Sequence, residues 1–420
     1  MDLSARLAAL SDPDLPAAGL MFGEDAAAML GTAQSLFPVP PVEATPRQIL
    51  WQPGRQLVVR YKAKNRGLPD TESDIVAATG DAIPAHFKDG DAAQVLAWKP
   101  ADDPWLPGLG SVLSTQAVSD MLRSLGVEAG PIRLTMRVYR PTRRAVIQVA
   151  HPQTTLYIKV VPPAAVAGLD AMHRELAPRI RIPRSLGWSK ELGIAVLEAL
   201  PGRTLRAALA DGTAELPAPG SLVGLLDGLP RLETPRQVGG PTSSVPRHVG
   251  LLRRVVPECG DLLDELLERC SPAPAGDMDD AVHGDFYENQ VLVEGASITG
   301  LIDIDRMGTG RRIDDFGMFT GHLAAFAMSA PDPDRVRTYG ASLVTAADAV
   351  VDPTELRRVA AAALVAMAAG PFRVQSPDWP TAVRRRLEAA LDWLESADRL
   401  ATDETSLTPA SASPHRAARG

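Results

Sequence analysis

One β island interrupts a C-terminal half otherwise patterned for helices, and it constrains everything beside it. From about residue 203 onward the apolar spacing is helical, but VLVEGASITGLIDI (291–304) reads as two strands around a Glu294-Gly295 turn. A hairpin fixes the position of the residues at its two ends. At the entrance stands VHGDFYENQ (282–290), where His283-Gly284-Asp285 forms a loop and Gly284 permits a tight turn. Gln290 follows Asp285 by five positions and offers an amide oxygen. At the exit Asp303 and Asp305 flank Ile304, and strand alternation predicts both carboxylates on one face.

This spacing gathers Asp285, Asp303, Asp305 and an amide into one place. Like charges so crowded are costly unless a cation lies among them. Mg²⁺ suits such a site, being hard, oxygen-seeking and able to bridge phosphates while keeping its waters. Phosphoryl transfer uses the same parts: a carboxylate for the attacking hydroxyl, and an amide and a carboxylate for the metal.

Elsewhere the chain divides in order. The first ~40 residues predict short Ala/Leu-rich helices ending at the Pro-rich FPVPPVEATP, and a strand-like block follows at 49–64. A connection rich in Pro, Gly and Asp, KPADDPWLPGLGS (99–111), precedes a helix over 114–125. A second β block covers 134–151 and 155–161, then a helix over 164–179 and a buried strand, GIAVLEAL (193–200). Trp51 to Gln56 and Tyr139 to Arg144 share a pattern of aromatic, x, Pro, small, Arg before a β run. An internal repeat and ordinary hairpin chemistry explain this equally well. Late helices are expected over 317–330, 333–350, 353–370 and 378–400, before a Ser/Thr/Ala/Pro-rich disordered tail. The expected domains are an N-terminal cap (1–110), a small nucleotide-binding lobe (111–200), a helical catalytic and acceptor lobe (201–402) and the tail (403–420).

The 283–317 segment resembles the aminoglycoside phosphotransferase group of small-molecule kinases, whose catalytic loop reads H-G-D-x-x-x-x-N followed by a strand and an I-D-x-D/E motif. Gly310 to Asp315 resembles that family's later G-x-x-x-x-D element. The resemblance implies an α+β, two-lobed, protein-kinase-like fold with a β-rich N-lobe, a mostly helical C-lobe and, here, an N-terminal cap. It implies an ATP- and Mg²⁺-dependent kinase acting on a hydroxyl of a sugar, aminosugar or aminoglycoside-like molecule. Asp285 would be the catalytic base, His283 would order the loop, and Asp303 would bind Mg²⁺ with help from Asp305. Lys159 in TLYIKVV would face the nucleotide phosphates, held by Glu175 on the next helix. Backbone groups from Glu198 to Leu200 would face the adenine.

Two departures stand out. The family's Asn falls at Gln290, with Asn289 one position early, which leaves the second metal ligand open between them; Gln290 is favoured. No G-x-G-x-x-G loop is present, so YRPTRRAV would have to cover the phosphates. Capped maltokinase-like sugar kinases also carry Gln at that place, which points toward a sugar-like acceptor. A degenerate kinase fold that binds without turnover is the alternative; a metal-dependent phosphoester hydrolase ranks last. The pairs Arg143-Arg144 and Arg311-Arg312 read as solvent-facing, and Asp378 and Trp379 as candidates to line an acceptor pocket.

Composition narrows the partners. A formal net charge of −8 argues against non-specific nucleic-acid binding. No apolar run reaches membrane-spanning length, and the acidic N-terminus lacks the features of a signal peptide, so the expected location is cytoplasmic, as a monomer or homodimer. The two cysteines, Cys259 and Cys270, lack metal-ligand spacing and are expected as buried free thiols.

Overall fold

The computed structural model describes residues 3–32, 41–65, 68–91, 93–127, 130–151, 153–270 and 278–407. The cap begins with short helices over Leu3–Ala8, Ala18–Phe22 and Ala26–Gly31, and continues as an antiparallel meander, β1 (Pro41–Gln52), β2 (Gln56–Asn65), β3 (Leu68–Gly80) and β4 (Leu96–Trp98). The small lobe is a five-stranded antiparallel sheet in the order β5 (Arg133–Arg140), β6 (Arg144–Ala150), β7 (Thr155–Val160), β9 (Ile194–Glu198), β8 (Ser185–Ser189). A helix, Pro163–Leu176, joins β7 to β8 and packs on β8 and β9.

The large lobe is helical, and its expected β island is present as β12 (Val291–Glu294) and β13 (Ser297–Leu301), with β10 (Arg203–Thr204) beside β12. Two further three-residue strands, β11 (Asp280–Val282) and β14 (Gly308–Gly310), pair at the two ends of residues 283–307; they are too short to show in the sequence pattern. Asp332 and Asp352 each cap a helix that starts with Pro, Pro333–Asp348 and Pro353–Ala368, by accepting a backbone N–H three residues on. The last helix, Trp379–Leu407, runs past the expected start of the tail; residues 408–420 lie outside the described residues.

The cap touches both lobes because its sheet is apolar on both faces. Ile49, Leu57, Val59, Tyr61, Ile75 and Ala77 share a core with the cap helices and with large-lobe residues such as Val249, Leu364 and Trp379. Val58, Val76, Ala78 and Trp98 alternate with them and join Ile147, Val149 and Ile158 of the small lobe. Trp379 is therefore fully buried at a joint between cap and large lobe, which corrects its candidacy for an acceptor pocket. Both cysteines are buried free thiols, and burial pushes Cys270 up to about 12.

The cap and the small lobe share one local device. Asp12 Oδ2 accepts from Trp51 Nε1 at 3.0 Å and from Gly54 N–H at 2.9 Å. Asp103 Oδ2 accepts from the Tyr139 hydroxyl and from Thr142 N–H, both at 2.9 Å. Each aspartate opens a matching segment, Asp12-Pro13-Asp14-Leu15-Pro16 and Asp103-Pro104-Trp105-Leu106-Pro107, followed by a helical turn. Gly54 (φ +72°) and Thr142 (φ +64°) hold the same left-handed position in their hairpins. The likeness at Trp51 and Tyr139 thus extends beyond hairpin chemistry to a shared anchor.

Candidate active site

The catalytic-loop candidate is held from beneath. Gly284 has φ +74°, and a Cβ there would sit 2.7 Å from the Arg306 carbonyl oxygen and 2.8 Å from Val238. The backbone N–H groups of His283 and Gly284 donate to the two Asp315 oxygens at 2.7 and 2.9 Å. Asp315 is buried in the first turn of the helix Arg312–Ala327. His283 is fully buried, and its Nε2 lies 3.1 Å from the Ile302 carbonyl, so this nitrogen carries the proton. Burial lowers the His283 pKa and keeps the ring neutral. Asp285 is half-buried, and no described residue hydrogen-bonds its carboxylate. Burial, then the charge of Asp303, raises its pKa against the pull of His283, Arg306 and Arg144.

The strand-end carboxylates arrive by a different route from the one expected. β13 stops at Leu301, Asp303 adopts a left-handed backbone (φ +57°), and Ile304–Arg306 forms a 3₁₀ turn. The two carboxylates converge through this turn and not through strand alternation. A non-glycine residue at positive φ is uncommon, and here it marks the site.

Cations of the small lobe relieve the acidic crowding. Lys159 Nζ donates to Asp303 Oδ1 at 2.9 Å and also bonds Asp305. Arg144 grips Asp303 bidentately, at 2.9 and 2.8 Å. Gln290 Nε2 lies 3.4 Å from Asp303 Oδ2. Burial would raise the Asp303 pKa, but Lys159 and Arg144 outweigh it and hold the carboxyl well below its usual range. Among the described residues no three His, Cys, Asp or Glu side chains converge as a metal cluster. The picture of three bare carboxylates needing one cation is thus replaced by an acidic pair with a Lys and an Arg upon it.

Glu175 does not hold Lys159. Its carboxylate accepts from the Glu233 backbone N–H at 2.8 Å and lies 3.8 Å from Arg179. On a helix, residues two apart face opposite ways, and it is His173 that turns inward. His173 Nδ1 lies 2.7 Å from the Pro183 carbonyl, and burial, then Lys159, lowers its pKa. Lys159 faces the acidic pair instead because Asp303 and Asp305 are the carboxylates within its reach.

Between the lobes lies a cleft of about 530 Å³. Val138, Val146, Leu197, Leu200, Leu292 and Ile302 line it, with Lys159, Gln290 and Asp303 also on its wall. Glu198 lines the cleft, but its carboxylate is paired with Arg184 at 2.8 Å, and its N–H and that of Ala199 donate to Arg184 and Thr155. Asn289 and Gln290 both line the cleft, yet only Gln290 contacts Asp303.

Asp315 is read only as the end of the G-x-x-x-x-D element and Arg144 only as part of the YRPTRRAV hairpin, neither with a partner. Arg144 follows a second arginine, a pair that normally sits in solvent; its signal was the register of β6, where its neighbours face β7 beside Lys159. Arg311, read likewise as solvent-facing, instead pairs with Asp314 and Glu355.

A family model described as "Phosphotransferase enzyme family" matches residues 135–353. No curated protein matches. Among solved structures, a thermostable mutant of aminoglycoside phosphotransferase APH(4)-Ia, in ternary complex with AMP-PNP and hygromycin B, is 16% identical with a TM-score of 0.46, covering 67% of this chain and 99% of that one. An aminoglycoside-3'-phosphotransferase of type VIII is 22% identical with a TM-score of 0.41, covering 59% and 97%. Macrolide 2'-phosphotransferase MphH from Brachybacterium faecium is 15% identical with a TM-score of 0.40, covering 65% and 97%. The family match starts where the small-lobe sheet starts, takes in Lys159, Asp285, Asp303 and Asp315, and spans more than half of the sequence, so the chain belongs to the phosphotransferase enzyme family.

Proposed function

We propose that the protein is a Mg-ATP-dependent kinase that moves the γ-phosphate to a hydroxyl of a small molecule. The observation that carries this reading is the convergence of Lys159, Arg144, Asp303 and Asp305 at one end of an apolar cleft, beside the unpaired carboxylate of Asp285. Adenine fits between the aliphatic walls of the two lobes, with Leu200 at the segment joining them. Lys159 and Arg144 exchange Asp303 for the phosphates when the nucleotide enters. The acceptor hydroxyl then attacks the γ-phosphorus, its proton passes to Asp285, and the bond to the β–γ bridging oxygen breaks to leave ADP. His283 and Asp315 position the Asp285 loop without touching the reacting atoms.

The residues present fit Mg²⁺. Asp303, Asp305 and Gln290 form an all-oxygen donor set, and Asp305 Oδ1 is buried without a hydrogen-bond partner among the described residues. These three would hold the ion, with phosphate oxygens and water completing its shell; it would neutralise charge on the phosphates. We further propose that residues 1–110 act as a cap that ties the small lobe to the large one.

The test is ADP release from Mg-ATP across hydroxylated acceptors, with Lys159→Met alongside. Acceptor-dependent release that falls by about 10²-fold or more in the variant is the expected result for loss of a phosphate clamp. ATP binding without release for any acceptor would instead identify a binding protein.

A further inference from the structure

The arginines around Asp285 exceed what the nucleotide explains. Arg140, Arg143, Arg247, Arg306 and Arg373 form no ion pair with any described carboxylate. Arg140 and Arg144 line the nucleotide cleft, but Arg143, Arg247, Arg306 and Arg373 do not. These four come from different elements. Arg143 sits in the β5–β6 turn, immediately before the Arg144 that reaches Asp303. Arg306 ends the turn that carries Asp303 and Asp305, and its carbonyl packs on Gly284, next to Asp285. Arg247 lies on the helix Val245–Val255, with Nη2 3.3 Å from His248 Nε2. Arg373 ends the short helix Gly370–Arg373, which packs against β1 of the cap.

Burial, then the charges of Arg140, Arg144, Arg306 and Arg247, lowers the Arg143 pKa, and burial, then Arg247, Arg143 and Arg140, lowers that of Arg373. Among the described residues no carboxylate pairs with Arg373. Such a concentration of like charge opposes folding unless it serves an anion. A cationic acceptor would meet repulsion here.

We propose that the acceptor carries a negative group, a carboxylate or a phosphate ester, and that Arg143, Arg247, Arg306 and Arg373 hold this group while the hydroxyl faces Asp285. The proposal rests on the kinase reading and narrows its acceptor. Arginine forks recognise either anion bidentately, so both sources belong in the test.

The experiment measures ADP release from Mg-ATP with matched compounds: glucose and glucosamine against glucuronate and glucose 6-phosphate, and glycerol against glycerate and glycerol 3-phosphate. The expected result is a kcat/KM at least about tenfold higher for the anionic members, as loss or gain of a paired charge is typically worth. Whether the carboxylates or the phosphates lead identifies the anion. In Arg373→Met and in Arg247→Met the acceptor KM rises about tenfold or more, the KM for ATP changes less than about twofold, and Arg373→Lys keeps most of the preference. Preference for glucosamine or for neutral acceptors overturns the proposal and leaves the kinase reading standing. If no compound releases ADP, the kinase reading fails, and calorimetric binding of the same compounds with ADP present decides this proposal separately. Anion binding that Arg373→Met weakens supports it; equal binding of anionic and neutral members overturns it.

Discussion

The cap meander and the small-lobe meander are built on the same anchor and end in different turns. In both, an Asp-Pro-x-Leu-Pro segment sends one buried aspartate to the aromatic and the left-handed residue of a β-hairpin. In the cap the turn reads Gln52-Pro53-Gly54-Arg55-Gln56, and Arg55 lies 3.5 Å from Asp81 at the surface. In the small lobe it reads Arg140-Pro141-Thr142-Arg143-Arg144, and Arg144 crosses to Asp303 of the large lobe. The scaffold accounts for where a hairpin tip stands; the side chains at the tip account for what it can bind. The cap sheet turns its apolar faces to both lobes, while the small-lobe hairpin carries the charges that reach the cleft.

The largest effect expected from this contrast comes from exchanging the tips. Giving the small lobe the cap's tip, through Arg140→Gln, Thr142→Gly and Arg144→Gln with Arg143 unchanged, should leave the fold intact and lower phosphoryl transfer by about 10²-fold or more. Circular dichroism checks the first part and ADP release the second. An active exchange variant would remove the functional distinction between the two hairpins.

Next in size are the anchors. Asp12→Ala and Asp103→Ala each strand three donors, the hairpin pair and the N–H of Asp14 or Trp105, and each should cost about 1–3 kcal/mol of stability in denaturant titrations. Only Asp103→Ala should also raise the KM for ATP, because only that hairpin reaches the cleft. Equal effects on KM would show that the cap tip contributes to the site.

A smaller effect concerns the charge on Asp285. Its folded-state pKa is raised, first by burial and then by Asp303. A raised carboxyl pKa means that ionisation disfavours the fold above the ordinary aspartate value, and that this penalty vanishes below it. Asp285→Asn should therefore raise Tm at neutral pH, with the gain fading as pH falls toward about 4. Calorimetry at several pH values checks the sign. The same raised pKa should place the acidic limb of the kcat/KM profile above the ordinary aspartate range.

The smallest effect is that of Glu175→Gln, which should change turnover by less than about twofold, since its carboxylate serves the Glu233 amide and not Lys159. A loss comparable to that of Lys159→Met would restore Glu175 to the site.

Much of the site was legible because its residues are local. His283, Asp285, Gln290, Asp303 and Asp305 fall within one short stretch, and the hairpin between them is readable from β-branched residues and a Glu-Gly turn. Pairings between distant elements were not legible. Arg144 and Lys159 reach Asp303 across more than a hundred residues, and nothing in their local pattern states that partner. Glu175 looked right by spacing from Lys159, but spacing does not state which way a helix is rotated, and the apolar residues Val166, Leu169 and Leu176 decide that by packing inward. The left-handed turn at Asp303 was hidden for a further reason: the flanking apolar residues Ile302 and Ile304 alternate with the aspartates, so the sequence reads as a continuing strand.

In the proposed reaction Asp285 takes the acceptor's proton. Single-turnover phosphoryl transfer by Asp285→Asn, with Mg-ATP binding measured on the same preparation, tests this most directly. The variant should bind nucleotide like the parent and transfer phosphate at least about 10²-fold more slowly, as loss of a general base does; transfer at the parent rate with intact binding would contradict it.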